Sequence, residues 1–240
     1  MAVKSTSKPA VMPMAKSPLL GIVTIGQSPR SDIHADMKAL LGENLRWVEE
    51  GALDGLTRGD IEKKYPIAGK HDLLVSRMAN GEQVCISESD LEPRLFDAVA
   101  RIKDYKPDVV IILCTGDLPP ITMDRCVVLS PQHIIKHFVA GLGITSLIVM
   151  SPEQAQVDNA KKRWEEAGFH TGSVFGSPYQ AEAQLYQAAV KAKELSGNLI
   201  ILDCMGYKIE HREKIEKWSG KRTITPREII FNTVRTLFGP

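Results

Sequence analysis

Cysteine is scarce in this chain. Four occur in 240 residues, at positions 85, 114, 126 and 204, and none forms a CxxC pair. A disulfide framework and a zinc ribbon are therefore excluded as organising devices, and a reducing cytoplasm is the expected location. Charge of one sign is lacking as well. Thirty Lys and Arg stand against 29 Asp and Glu, a net charge of +1, so the basic field that nucleic acid or an anionic membrane surface would require is missing. Long apolar runs are absent: the longest uninterrupted one is Val109 to Cys114, far short of the roughly 20 residues of a membrane-spanning helix. GxGxxG, GxxxxGK[ST] and GxSxG are all absent, so dinucleotide, nucleoside triphosphate and serine-hydrolase readings lose their loops. What is present, 43% hydrophobic and 25% charged residues, is ordinary globular composition, in a length that suits one large domain or two small ones.

Residues 1–18 carry Lys4, Lys8 and Lys16, three prolines and no acid. They lack the apolar stretch of a secretory signal and read as a tail without hydrophobic periodicity. From Leu19 onward, β-branched apolar runs alternate with amphipathic stretches. Leu19–Gly26 reads as a buried strand, and the helix after it carries Ile33, Met37, Leu40 and Leu41 at helical spacing, with Asp32 as its cap. Short strands are predicted near 45–50, 73–78 and 83–87, the last two joined across Ala79-Asn80-Gly81. A helix over 91–105 then feeds the strand 109–113. Helices over 131–142, 153–167 and 180–195 alternate with strands 146–150, 173–175 and 198–202, and two further helical stretches complete the chain. Ser151 is the expected cap of the helix at 153–167, with Pro152 in its first turn. Strands alternating with helices imply parallel sheets joined by right-handed crossovers.

One internal echo organises this series. Asp108-Val-Val-Ile-Ile-Leu-Cys-Thr-Gly116 and Asn198-Leu-Ile-Ile-Leu-Asp-Cys-Met-Gly206 are apolar strands that each end at a cysteine with glycine two residues later. Ile22–Pro29 and Ile148–Pro152 form a looser pair. Together they predict two similar α/β subdomains with parallel-sheet cores, related by a pseudo-twofold axis. The first spans 19–128 plus 222–240 and the second 129–221. Ligands of parallel sheets bind beyond the carboxyl ends of the strands, where Cys114 and Cys204 would sit. A thiol near a helix N-terminus is expected to have a lowered pKa and to act as base or nucleophile. With one cysteine on each wall of a shared cleft, one thiolate can remove the proton of a carbon stereocentre and the opposite thiol can return one from the other side. Cys85 and Cys126 lack the strand-end glycine and are assigned to packing.

GIVTIGQSPRSD at 21–32, EEGALDGL at 49–56, LCTGD at 113–117 and LDCMGY at 202–207 resemble the AroM family, itself similar to the aspartate/glutamate racemase superfamily. That resemblance implies two α/β domains and a two-cysteine site that works without pyridoxal phosphate, metal or other cofactor. In the superfamily the cysteines sit in Cys-Asn-Thr-like and Gly-Cys-Thr-His-like segments. Here the counterparts are Cys114-Thr115-Gly116 and Asp203-Cys204-Met205-Gly206, so the cysteines match while their substrate-binding neighbours depart. Cys114 and Cys204 are thus the expected catalytic pair. Thr115, Gly116, Met205, Gly206 and Tyr207 are candidates for substrate contact, joined by Gln27, Ser28 and Arg30, whose loop offers an amide, a hydroxyl and a guanidinium to a carboxylate. His133 and His137 are four apart on a helix with no carboxylate at the position a zinc-protease helix needs, and read as a solvated face.

The expected function is a cofactor-independent racemase or epimerase acting at the α-carbon of a small carboxylate or amino acid. The alternatives are a related decarboxylase or cis-trans isomerase, or a metabolite-binding protein without turnover. Nucleic acid and membrane are not expected as partners, and a homo-oligomer is left open.

Overall fold

The computed structural model describes residues 18–239. The tail expected at 1–18 lies, apart from Pro18, outside the described residues. The chain opens with β1 (Leu19–Thr24), α1 (Ser31–Leu41) and β2 (Arg46–Gly51). An insertion follows, made of α2 (Arg58–Lys64), β3 (Leu73–Arg77) and β4 (Gln83–Ser87). Then come α3 (Glu88–Asp104), β5 (Val109–Leu113), β6 (Val127–Leu129) and α4 (Pro131–Ala140). The second half runs β7 (Ser146–Ser151), a 3-10 turn, α5 (Val157–Glu166), β8 (His170–Phe175), α6 (Glu182–Glu194), β9 (Leu199–Leu202), α7 (Ile209–Ser219), β10 (Arg222–Ile224) and α8 (Pro226–Phe238).

The local signals behind these elements are ordinary ones. Ser87 caps α3 by accepting the Asp90 N–H, Leu91, Leu95, Val99 and Ile102 form its buried stripe, and Pro93 sits in its early turns. Thr225 caps α8, and Pro226 occupies its first turn. Two expected caps are corrected. Asp32 does not cap α1, whose N-terminus has no side-chain cap; its carboxylate binds arginines instead. Ser151 is the last residue of β7 rather than a helix cap, because a 3-10 turn with Glu153 as its cap precedes α5.

β2-β1-β5-β6 and β8-β7-β9-β10 form two sheets, all parallel. Strand for strand they have the same winding: the first strand of each half is central, the second flanks it on one side, and the third and fourth follow on the other. Both faces of each sheet are covered, so neighbouring positions along a strand enter different cores. Leu20 and Ile22 with Ile111 and Leu113 face α1 and α8, while Val23, Val110, Ile112 and Cys114 face α3. In the second sheet Leu147, Val149 and Ile201 face α4 and α5, while Ile148, Met150, Leu202 and Cys204 face α6 and α7.

The final helices of the halves are exchanged. α8 ends the second half yet buries Ile230, Phe231 and Val234 against α1 and the first sheet, and α4 ends the first half yet buries Ile135 and Val139 against the second. Each such side chain contributes about 1.5–3 kcal/mol on burial, so the exchange fastens the halves together. β10 pairs with β9 in the second sheet, so the chain returns to the first unit after Ile224 and not at 222. β6 and β10, three residues each, and α2 are elements the periodicity does not reveal. The β3–β4 hairpin and α2 have no counterpart in the second half. Among the described residues no helix is long and apolar enough to cross a membrane.

Candidate functional site

Cys114 follows the last residue of β5, and Cys204 stands two residues past β9. β1 pairs Thr24 with Leu113, and the Asp203 N–H donates to Met150 O beside Ser151. Each cysteine therefore occupies the same place in its half. Each also makes the same turn: Cys114 N–H donates to Ile112 O and Cys204 N–H to Leu202 O. The glycine two residues on then donates its N–H to the sulfur, at 3.3 Å in both cases. Glycine is needed here for close approach. A Cβ on Gly116 would lie 2.5 Å from Leu74 of the hairpin, and one on Gly206 would lie 2.3 Å from the Tyr179 hydroxyl. One cavity of about 410 Å3 has Cys114 and Cys204 on its lining, a size suited to a small molecule.

Arg30, Thr115, Gly116, Met205 and Gly206 also line it. Arg30 is 2% exposed and paired with Asp32 through Nε and Nη2 at 2.8 and 3.0 Å, with Thr24 Oγ1 and the Tyr179 hydroxyl also in reach. Thr115 Oγ1 donates to Asp203 O, which ties the two cysteine loops together. Gln27, Ser28 and Tyr207 do not reach the cavity. Gln27 spans the carbonyls of Leu53 and Leu56 and the N–H of Ala79. Ser28 donates to Asp54, which makes the SPRSD loop a brace against the turn after β2. Tyr207 is fully buried, its hydroxyl donating to the carbonyls of Met150 and Gly176. Their polar groups are taken up by backbone and, for Ser28, by the Asp54 carboxylate, so in this structure they brace loops instead of lining the cavity.

The expected lowering of the thiol pKa values is also overturned. The helices that follow the cysteines in the chain start well beyond them, α4 at Pro131 and α7 at Ile209. Burial pushes Cys114 up to about 12 against the Gly116 N–H and the Arg163 charge, and it raises Cys204 against the Gly206 N–H, Arg30 and Tyr179. The helping charges cross over. Arg163 of the second half acts on the first cysteine while bound to Asp203 Oδ2 at 2.7 Å, and Arg30 of the first half acts on the second.

Sequence reasoning missed Tyr179, Arg163 and Ser76. Tyr179 lies 3.9 Å from Cys204 Sγ through its hydroxyl, in a loop with no motif. Arg163 sits within a charged helical run that looks solvated, and Ser76 within a weak strand. Among the described residues no group of three or more His, Cys, Asp or Glu is placed to hold a metal ion. Gly206→Ala is expected to expel the Tyr179 ring, cost about 1–3 kcal/mol and speed alkylation of Cys204 by iodoacetamide. Unchanged melting and alkylation would show that the ring does not shield this thiol.

The family model described as AroM protein matches residues 20–238. No curated protein matches the sequence. Among solved structures, a mutant of arylmalonate decarboxylase in its liganded form is 15% identical, with a TM-score of 0.59 over 92% of this chain and 93% of that one. A glutamate racemase from Bacillus anthracis is 14% identical, with a TM-score of 0.61 over 93% and 82%. The maleate isomerase of Pseudomonas putida S16 is 10% identical, with a TM-score of 0.55 over 91% and 92%. At such identities the likeness shows the fold alone. The family match runs from β1 to the last turn of α8, and the chain belongs to the AroM protein family.

Proposed function

We propose that this chain is a cofactor-independent racemase or epimerase acting at the α-carbon of a small carboxylate or amino acid. The observation that carries the proposal is the pair of cysteines at equivalent strand ends of two like halves, both lining one small cavity. One thiolate takes the proton from Cα, leaving its electron pair delocalised into the carboxylate. The other thiol then gives its proton to the opposite face of the planar carbon, so the two sulfurs end with exchanged protonation. The reactions named for the similar folds, racemisation, decarboxylation and isomerisation, are compatible with such a cleft. The elevated Cys114 pKa favours a second reading, in which the cavity binds a metabolite without turnover.

Deuterium exchange tests the proposal. Incubation of the purified chain with D- and L-amino acids and small chiral carboxylates in D2O is expected to give loss of the Cα proton signal together with inversion for at least one compound. Binding without exchange for every ligand that raises the melting temperature would leave the non-catalytic reading.

A further inference from the structure

The two cysteine turns are built alike and covered differently. In each, the sulfur takes the N–H of the glycine two residues on, and in each that glycine admits a side chain against the turn. At Gly116 the side chain is Leu74, which packs in the same apolar cluster as Cys114. At Gly206 it is Tyr179, whose hydroxyl and Cζ leave no room for an added Cβ. Where Cys114 has a hydrocarbon neighbour, Cys204 has a hydroxyl, 3.9 Å from its sulfur.

Arg30 sets the direction of that hydroxyl. A guanidinium has donors only, so the phenol oxygen accepts from Arg30 Nη2, at 3.5 Å, and its one hydrogen is left for Cys204 Sγ. Burial raises the Tyr179 pKa against the Arg30 charge, which keeps the phenol a donor. Both halves hold it in place. The Tyr179 N–H donates to Ser177 Oγ at 3.2 Å, and Ser177 Oγ donates to Gln83 Oε1 of β4 at 3.0 Å. The ionisable groups acting on Cys204 are Arg30, Tyr179, Tyr207, Asp203 and Cys114, and those acting on Cys114 are Arg163, Asp203 and Cys204. Each sulfur thus has one arginine, the Asp203 carboxylate and the other sulfur. The Tyr207 hydroxyl is given to backbone carbonyls. The Tyr179 hydroxyl is what Cys114 lacks, and a hydrogen bond to the charged form of a group favours that form.

We infer that Tyr179 is a positioning residue of this site: its hydroxyl, oriented by Arg30, donates to the Cys204 sulfur and makes Cys204 the first of the pair to ionise, hence the base, with Cys114 as the acid. The inference rests on the proposed two-thiol reaction and gives it a direction. Such a pair works with one member ionised and the other protonated, and the likeness of the halves does not say which is which. With Cys204 as the base, the ligand-free site takes the enantiomer whose Cα–H faces Cys204, and Cys114 gives its proton to the opposite face. The pair then resets as a proton passes from Cys204 through solvent to Cys114.

The test uses the purified full chain without ligand. Alkylation of Cys114 and of Cys204 by iodoacetamide is followed separately, by peptide mass analysis, from about pH 6 to about pH 10, a range that spans the ordinary thiol pKa. The quantity compared is the pH at which each rate levels off, so shielding of a sulfur does not enter. Cys204 is expected to level off at least about one pH unit below Cys114, the worth of one charge-assisted hydrogen bond to a thiolate. Tyr179→Phe, which keeps the ring, is expected to raise the Cys204 value by about one unit, with a much smaller change at Cys114. Rates that level off together, that both still climb at the top of the range, or that level off first at Cys114 overturn the inference in the parent chain alone. A Cys204 value that Tyr179→Phe leaves in place overturns it as well. So does an equal shift at both cysteines, which would make the phenol a packing residue. Absence of Cα exchange for every compound, with Cys204 ionising first only while Tyr179 keeps its hydroxyl, refutes the racemase and leaves the order of ionisation standing.

Discussion

Cys114→Ser and Cys204→Ser are each expected to lower racemisation of a true substrate by at least about 100-fold, the usual scale of a general acid–base contribution. The two variants should differ in what survives. If each sulfur serves one face of the carbon, the thiolate left in one variant still abstracts the proton of one enantiomer, and the thiolate left in the other abstracts that of its mirror image. Deuterium wash-in at Cα then persists for opposite enantiomers while inversion is lost in both. Serine is slightly smaller than cysteine and retains a hydroxyl at a position already facing a glycine N–H, so folding and ligand protection should persist. Full racemisation in either variant would make that cysteine structural and favour the one-cysteine decarboxylase, the isomerase or the binder.

Arg227→Met is expected to lower stability by about 3–5 kcal/mol, the cost of breaking a buried ionic network from one side, or roughly 10 °C in melting temperature for a chain of this size. The Arg227 side chain is fully buried. It donates to the carbonyls of Met205, Gly206 and Asp32 and to the carboxylates of Asp32 and Asp36, so it ties the second cysteine loop to α1 of the other half. Acid sensitivity should change with it. Burial alone would raise the Asp32 pKa, but the hydrogen bonds and charge of Arg30, with the charges of Arg227 and Arg77, bring it down to about 2. A folded pKa below the unfolded value of about 3.8 gives stability that is complete above that value and lost as pH falls through 2, about 2 kcal/mol in all. Removing Arg227 raises the folded pKa, so acid unfolding should begin at a higher pH. A variant that melts like the parent, with the same acid limb, would show that Arg30 and Arg77 suffice.

Much of the architecture was legible because its causes are local. Apolar strands with both faces buried, helices with periodic stripes and the hairpin at Asn80-Gly81 follow from side-chain pattern and turn chemistry. Three-residue strands such as β6 and β10 carry too little pattern to stand out, and they form because a longer parallel strand already presents its edge. The loop residues were harder. A Gln, Ser and Arg in one short loop look alike as donors to a ligand. Whether they meet a carboxylate or a neighbouring turn depends on what packs beside them, and Asp54 and the carbonyls of Leu53 and Leu56 take the first two.

The sequence by itself determined that two strands end in cysteine followed by glycine, and that they lie in two similar α/β series. A strand end is set by its own residues, and a repeat is visible without folding. Only the tertiary structure decided that both cysteines line one cavity, and that Tyr179 and Arg30 stand beside one and Arg163 beside the other. It also raised the thiol pKa values instead of lowering them. These outcomes depend on burial and on residues up to about 195 positions apart in sequence, such as Arg227 and Asp32. Desolvation and ion pairing act through space, and the distances that govern them exist only once the exchanged helices have closed the halves together.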